Sequence, residues 1–110
     1  MNIKFWKTAS GRYPVKNFIM TQSSGPAQRI MKDIDHLKEQ GLRLLASNKL
    51  KKLRGYDNLY ELRTKHGKLD YRILFKESRG TAWLLEAFQK QGNTTPERYI
   101  KTAIRRGSTV

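Results

Sequence analysis

The stretch Leu59–Phe88, LYELRTKHGKLDYRILFKESRGTAWLLEAF, decides the fold. It contains three runs of strand character, Leu59–Thr64, Leu69–Lys76 and Thr81–Phe88, each mixing aromatic and branched residues with alternating polar ones. His66-Gly67 and Ser78-Arg79-Gly80 separate them and supply glycine where a tight turn wants positive φ. Consecutive strands joined by such short turns form an antiparallel meander. Side chains alternate between the two faces of a strand, so Leu69, Tyr71, Ile73 and Phe75 share one face, while Asp70, Arg72, Leu74 and Lys76 share the other. The apolar set belongs against helices, and the opposite face is expected to stay open. A turn centred on His66-Gly67 pairs Glu61 with Arg72 and Arg63 with Asp70, a charged quartet on the open face. A three-residue turn at Ser78–Gly80 pairs Arg72 with Glu86 and continues that face through Phe88 and Lys90; a two-residue turn would break the grouping.

Outward from this core the pattern turns helical. Asn2–Lys7 reads as a short strand. Pro14 suits a first helical position, and Val15, Phe18 and Ile19 follow at helical spacing. After a break at Ser23-Ser24-Gly25-Pro26, the residues Ala27, Ile30, Met31, Ile34 and Leu37 form one buried stripe that Gly41 terminates. Residues 44–56 are ambiguous. Thr94 and Glu97 have capping-box spacing and open a last helix, with Ile100, Ala103 and Ile104 as its apolar face and Gly107 as its stop. The expected class is α+β, in the order β-α-α-β-β-β-α: an antiparallel sheet packed against an N-terminal helical hairpin and a C-terminal helix, one domain over residues 1–110.

Composition narrows the function. The chain has 110 residues, 23 Lys and Arg against 9 Asp and Glu, and a net charge of +14. Residues 1–41 hold 7 basic and 3 acidic side chains (net +4), and residues 42–110 hold 16 and 6 (net +10). A hydrophobic fraction of 37% supports a folded core rather than a basic tail. A folded domain this basic points to a polyanion, nucleic acid first and an acidic protein second. The absence of cysteine excludes disulfides and thiolate zinc sites, and His36 and His66 are too few for a multi-histidine centre, so no cofactor or metal is expected. The longest apolar runs are three or four residues, against the roughly 20 that a membrane helix needs. The expectation is a cytoplasmic protein without membrane contact.

The motifs Lys52-Leu53-Arg54-Gly55, Leu59-Tyr60-Glu61-Leu62-Arg63, Tyr71-Arg72-Ile73-Leu74-Phe75, Ala87-Phe88-Gln89-Lys90-Gln91 and Thr94-Thr95-Pro96 occur in one order over nearly the whole chain. With Thr8-Ala9-Ser10-Gly11-Arg12 ahead of a helix, they resemble the RelE/ParE toxin superfamily and, within it, the HigB-like phage-derived branch. The resemblance implies a type II toxin that cleaves mRNA in the ribosomal A site. Its partners would be the ribosome, the mRNA and a helix-turn-helix antitoxin, with operator DNA reached only through the antitoxin. The family's phosphate-contacting arginines map onto Arg63 and Arg72, its lysines onto Lys52 and Lys90. Two positions depart from the pattern: Glu86 stands where many relatives carry His, and Gln89 and Gln91 flank Lys90 where lysines are common.

The chemistry expected is metal-independent transesterification by the RNA's own 2′-hydroxyl. Arg63 and Arg72 would clamp the phosphate. Lys90 would be a second cation or a proton donor, and Glu86 is the base candidate by face and position. Lys49, Lys51, Lys52 and Arg54 form a candidate RNA or ribosome contact, with Gln89 beside them. Phe88 either stacks a base or lies beneath the last helix. Trp6, Trp83 and Phe75 are assigned to the core. The competing readings are ordinary cross-strand ion pairs, a ParE-like gyrase inhibitor, and a catalytically inactive RNA-binding relative. On an open wet face, Arg72→Ala should leave folding intact.

Overall fold

A computed structural model describes residues 1–110. The elements are β1 (Asn2–Phe5), α1 (Pro14–Met20), α2 (Ser24–Gln40), a 3-10 turn (Gly41–Ala46), β2 (Leu50–Lys52), β3 (Leu59–His66), β4 (Leu69–Ser78), β5 (Thr81–Gln89) and α3 (Glu97–Gly107). The sheet has five strands in the order β1-β5-β4-β3-β2, antiparallel except where β1 runs parallel to β5. The expected α+β order holds. The ambiguous stretch resolves into the 3-10 turn and β2, too short for period counting to detect.

Helices α1 and α2 cover one face. Val15, Ile19, Ile30, Ile34 and Leu37 bury against Leu62, Tyr71, Ile73, Phe75 and Leu84. Met31, placed in the buried stripe, is 41% exposed. Asp33 is buried in its place, because Thr64 Oγ1 donates to Asp33 Oδ2 at 2.7 Å and Lys49 Nζ approaches at 3.2 Å. A charge on the packed side of a helix is tolerable only with such partners.

The register departs from expectation at both hairpins. Gly67 and Lys68 form the first turn, so Arg63 pairs with Arg72 and Glu61 with Leu74. This slip of two residues leaves the faces unchanged, since the side-chain period is two. The second turn is the two-residue Arg79-Gly80, both with positive φ, as a primed hairpin turn requires. That turn alone would set Ala87 opposite Arg72. A bulge corrects it: Phe75 pairs with Leu84 and Leu74 with Glu86, so Leu85 is the extra residue and Arg72 meets Phe88.

The second face is not open. Helix α3 lies across half of it and builds a smaller core from Leu53, Leu59, Leu74, Leu85, Phe88 and Ala103. Trp6 and Trp83 sit half-buried at the margin of this core rather than inside the main one. Trp6 Nε1 donates to Thr109 Oγ1 at 2.8 Å, and Lys4 lies over the Trp83 ring. The Thr94–Glu97 capping box does not form, because Pro96 is the N-cap residue and no side chain caps the helix. Gly107 lies inside α3 rather than after it, close to Leu85 and Lys76, which a β-carbon would crowd.

Leu85 is fully buried and belongs to the α3 core. Leu85→Ala should lower the unfolding free energy in urea by about 2–5 kcal/mol, the range for large-to-small core changes. A loss below about 0.5 kcal/mol, the scale of a surface change, would show that the bulge carries no packing.

Candidate functional site

The half of the second face that α3 leaves uncovered carries the charges. Glu61 is 1% exposed and Arg72 5% exposed. Arg72 Nε donates to Glu61 Oε1 at 3.0 Å, and Arg63 Nε donates to the same oxygen at 3.2 Å. Thr95 Oγ1 donates to Glu61 Oε2 at 2.6 Å. Arg72 Nη1 bonds Asp70 Oδ1 and also the Tyr71 carbonyl at 3.2 Å. One carboxylate thus fixes two guanidinium groups, and a second carboxylate holds the inner one. Arg63 spends only Nε on this network, and its side chain is partly exposed with no further protein partner.

Glu61, Arg63 and Thr95 from this network line an open groove of about 550 Å³, with Arg72 held beneath through Glu61. Its walls carry Lys51, Arg54, Arg63 and Lys90 as cations, Leu53, Tyr56 and Ile100 as an apolar side, and Asn93, Thr94 and Thr95 as hydroxyl and amide groups. Lys90 lies beyond the end of β5, and its backbone N–H donates to the Asp70 carbonyl at 2.6 Å. Burial pushes the Lys90 ammonium below its ordinary 10.5, and the charges of Arg72 and Arg63 push the same way against Glu61 and Asp70. A smaller cleft of about 340 Å³ lies along α3 between Leu59, Leu85 and Ile104. Its lysine, Lys76, is spent on the Gly107 carbonyl at 3.0 Å. Lys51 and Arg54 also border a neighbouring hollow with Lys52, and Arg63 and Lys90 join them in the groove.

The structure brings Arg63, Arg72, Lys90, Lys51 and Arg54 together and separates the other sequence candidates. Glu86 does not hold Arg72. Its carboxylate accepts from Arg106 Nη1 at 3.4 Å and from the Ala87 N–H at 3.0 Å, because the bulge sets it across from Leu74. Phe88 is 2% exposed and stacks on Tyr99 at 4.0 Å, so it lies beneath α3. Lys49 is paired with Asp33. Lys52 sits opposite Tyr60 and Gln89 opposite Tyr71, which puts both on the α1–α2 side of the sheet. Lys51, opposite Glu61, takes the place over the groove that the motif alignment gave to Lys52.

Residues 17–108 match the model of the phage-derived Gp49-like protein family. The chain belongs to that family. It is a HigB-like toxin family of the RelE superfamily, so the resemblance carried by the motifs holds at family level. No curated protein matches the chain. In this Gp49-like protein the sequence reading underweighted Glu61 and missed Thr95 as a site residue. The signal for Thr95 is Pro96: a residue before proline is held extended, which keeps Thr95 out of the helix and leaves its hydroxyl for Glu61. No helix is long and apolar enough to cross a membrane.

Lys90 lowers stability through its charge. Its folded-state pKa lies below the unfolded value, so between the two the unfolded chain holds more protons, and stability rises as pH climbs through that alkaline window. Below both values the penalty is fully present. Lys90→Met should therefore be more stable than wild type in urea at neutral pH, and the gap should close in the alkaline range. A gap that stays constant with pH would rule out the electrostatic cause.

Proposed function

We propose that this Gp49-like protein is the toxin of a type II toxin–antitoxin pair and acts as a ribosome-dependent mRNA endonuclease. The observation that carries this reading is the convergence of Arg63, Lys90, Lys51 and Arg54 on one groove, above a buried Glu61–Arg72 pair that holds Arg63 in place. Family membership supports the toxin role.

RNA brings its own nucleophile. The 2′-hydroxyl gives its proton to solvent, its oxygen bonds to the adjacent phosphorus, the bond to the 5′-oxygen breaks, and a 2′,3′-cyclic phosphate results. Charge builds on the equatorial phosphate oxygens, where preorganised cations stabilise the transition state more than the ground state. The terminal nitrogens of Arg63, which have no protein partner, would supply the fork for these oxygens. Arg72 works from beneath, through Glu61 and through its own charge. Lys90 stands beside Arg63, and its lowered pKa suits it to protonate the departing 5′-oxygen. The apolar wall of Leu53, Tyr56 and Ile100 is suited to an unpaired base, since stacking accepts any base. Glu86, turned to Arg106, ties β5 to α3.

The antitoxin, expected to be a helix-turn-helix protein, would meet a chain with net +10 over residues 42–110, so an acidic segment would speed association. The pair would act in the cytoplasm, where ribosomes are.

The test is cleavage of mRNA on programmed ribosomes, alongside thermal melting. Arg63→Ala should lose on the order of a hundredfold in cleavage, the scale for one transition-state donor, with its melting temperature kept. Arg72→Ala should lose cleavage and also up to about 3–5 kcal/mol of stability, because it removes the buried partner of the Glu61 carboxylate and leaves Arg63 as its one cation. The open-face expectation that Arg72→Ala folds normally does not survive this burial. Intact mRNA together with arrested DNA replication would instead favour gyrase inhibition.

A further inference from the structure

The two oxygens of Glu61 have different duties. Oε1 accepts from both Arg63 and Arg72, at 3.2 and 3.0 Å, and Oε2 accepts from Thr95 alone, at 2.6 Å. Glu61 is nearly dry, so Oε2 without its donor would be a buried acceptor with nothing to bond. Two responses are open to it. The carboxylate can rotate, which pulls Oε1 off at least one guanidinium, or a mobile cation can move down to Oε2. The cation placed to do so is Lys90, which lines the same groove as Glu61 and Thr95. Either response removes a cation from the position where the groove presents it.

Thr95 is not part of the sheet. It lies in the lead-in to α3, one residue before the N-cap Pro96, and α3 is itself docked by the Phe88–Tyr99 stack and by Arg106 donating to the Leu85 carbonyl at 2.7 Å. The rotation of Glu61 therefore depends on a hydroxyl delivered by the docking of a separate element.

We propose that Thr95 is a positioning residue: its hydroxyl locks the Glu61 carboxylate so that Arg63 and Lys90 are presented to the bound phosphate. The proposal deepens the endonuclease reading and rests on it for its kinetic consequence, but its structural content is measurable without RNA. Lys90 faces Arg72, Arg63, Glu61 and Asp70, and its titration reports on where the Glu61 carboxylate points.

The experiment compares wild type with Thr95→Val and Thr95→Ser. Lys90 is titrated by NMR of its side-chain carbon, the Nε–H signal of Arg63 is followed, and ribosome-dependent cleavage is split into kcat and KM. Thr95→Val should move the Lys90 pKa upward, weaken the Arg63 signal and lower kcat on the order of tenfold to a hundredfold, as a slightly misplaced group does. KM should hold, because the cations that gather RNA remain. Thr95→Ser keeps the hydroxyl and should match wild type in all three. An unchanged Lys90 titration in Thr95→Val overturns the proposal, and so does a Ser variant that behaves like the Val variant, since packing of the methyl would then be what matters. If Thr95→Val fails to fold, Thr95→Ala is titrated in its place, with the same outcomes decisive. Should wild type leave mRNA uncut, the endonuclease reading falls, while the titration and the Arg63 signal still decide the role of Thr95.

Discussion

The charged part of the sheet is organised around an ion pair that folding takes out of water. Glu61 and Arg72 are 1% and 5% exposed and bonded at 3.0 Å. Desolvating two ions costs several kcal/mol each, and an apolar pair of similar volume would often be more stable. What the pair does here is directional. Glu61 bridges from the buried Arg72 to the half-exposed Arg63, so the orientation of the outer guanidinium is set from below by atoms that cannot wander. The dry surroundings that make the pair costly also make its geometry firm. A long side chain on a wet surface would have to be ordered anew each time a phosphate arrived.

One extra residue brings the rest of the groove to that pair. With the two-residue turn at Arg79-Gly80 and no bulge, Ala87 would face Arg72, while Phe88 and Lys90 would point toward α1 and α2. The insertion at Leu85 resets the alternation, so Leu84 and Ala87 both serve the larger core while Leu85 and Phe88 both serve the smaller one. Phe88 then stacks on Tyr99 and seats α3, and the lead-in to α3 carries Thr95 to Glu61. A backbone irregularity in β5 thus decides whether the basic groove exists.

This explains what could be read in advance. The meander, the helical stripe of α2 and the split of β4 into an apolar and a charged face all follow from periodicity, and a two-residue slip of register cannot disturb the split. The face of Arg63 and Arg72 was legible for that reason. Met31 and Asp33 were not, because side-chain bonds from Thr64 and Lys49 change which helix positions can be buried. Glu86 and Phe88 were assigned to the right face through an incorrect turn, since the actual turn and the bulge each shift the alternation by one and their effects cancel. The partners of Glu86 and Phe88 come from α3, whose path over the sheet no local pattern encodes. Lys51 and Lys52 show the limit of motif alignment, where neighbouring lysines at a strand end serve opposite faces.

The fold also works against itself in one place. Arg63, Arg72 and Lys90 are gathered at the end of a sheet in a chain already at +14, and burial together with the neighbouring guanidinium charges lowers the Lys90 pKa. Two carboxylates, Glu61 and Asp70, offset part of this repulsion, but both are already engaged by arginine. Natural sequences usually agree at every level, from local preference to electrostatics, and violations concentrate where something other than folding is being served. A groove that keeps its cations oriented and only partly neutralised is stabilised further when an anion enters it, because binding then relieves a strain that folding left in place. Any anion that enters, whatever carries it, relieves that strain through the same charges.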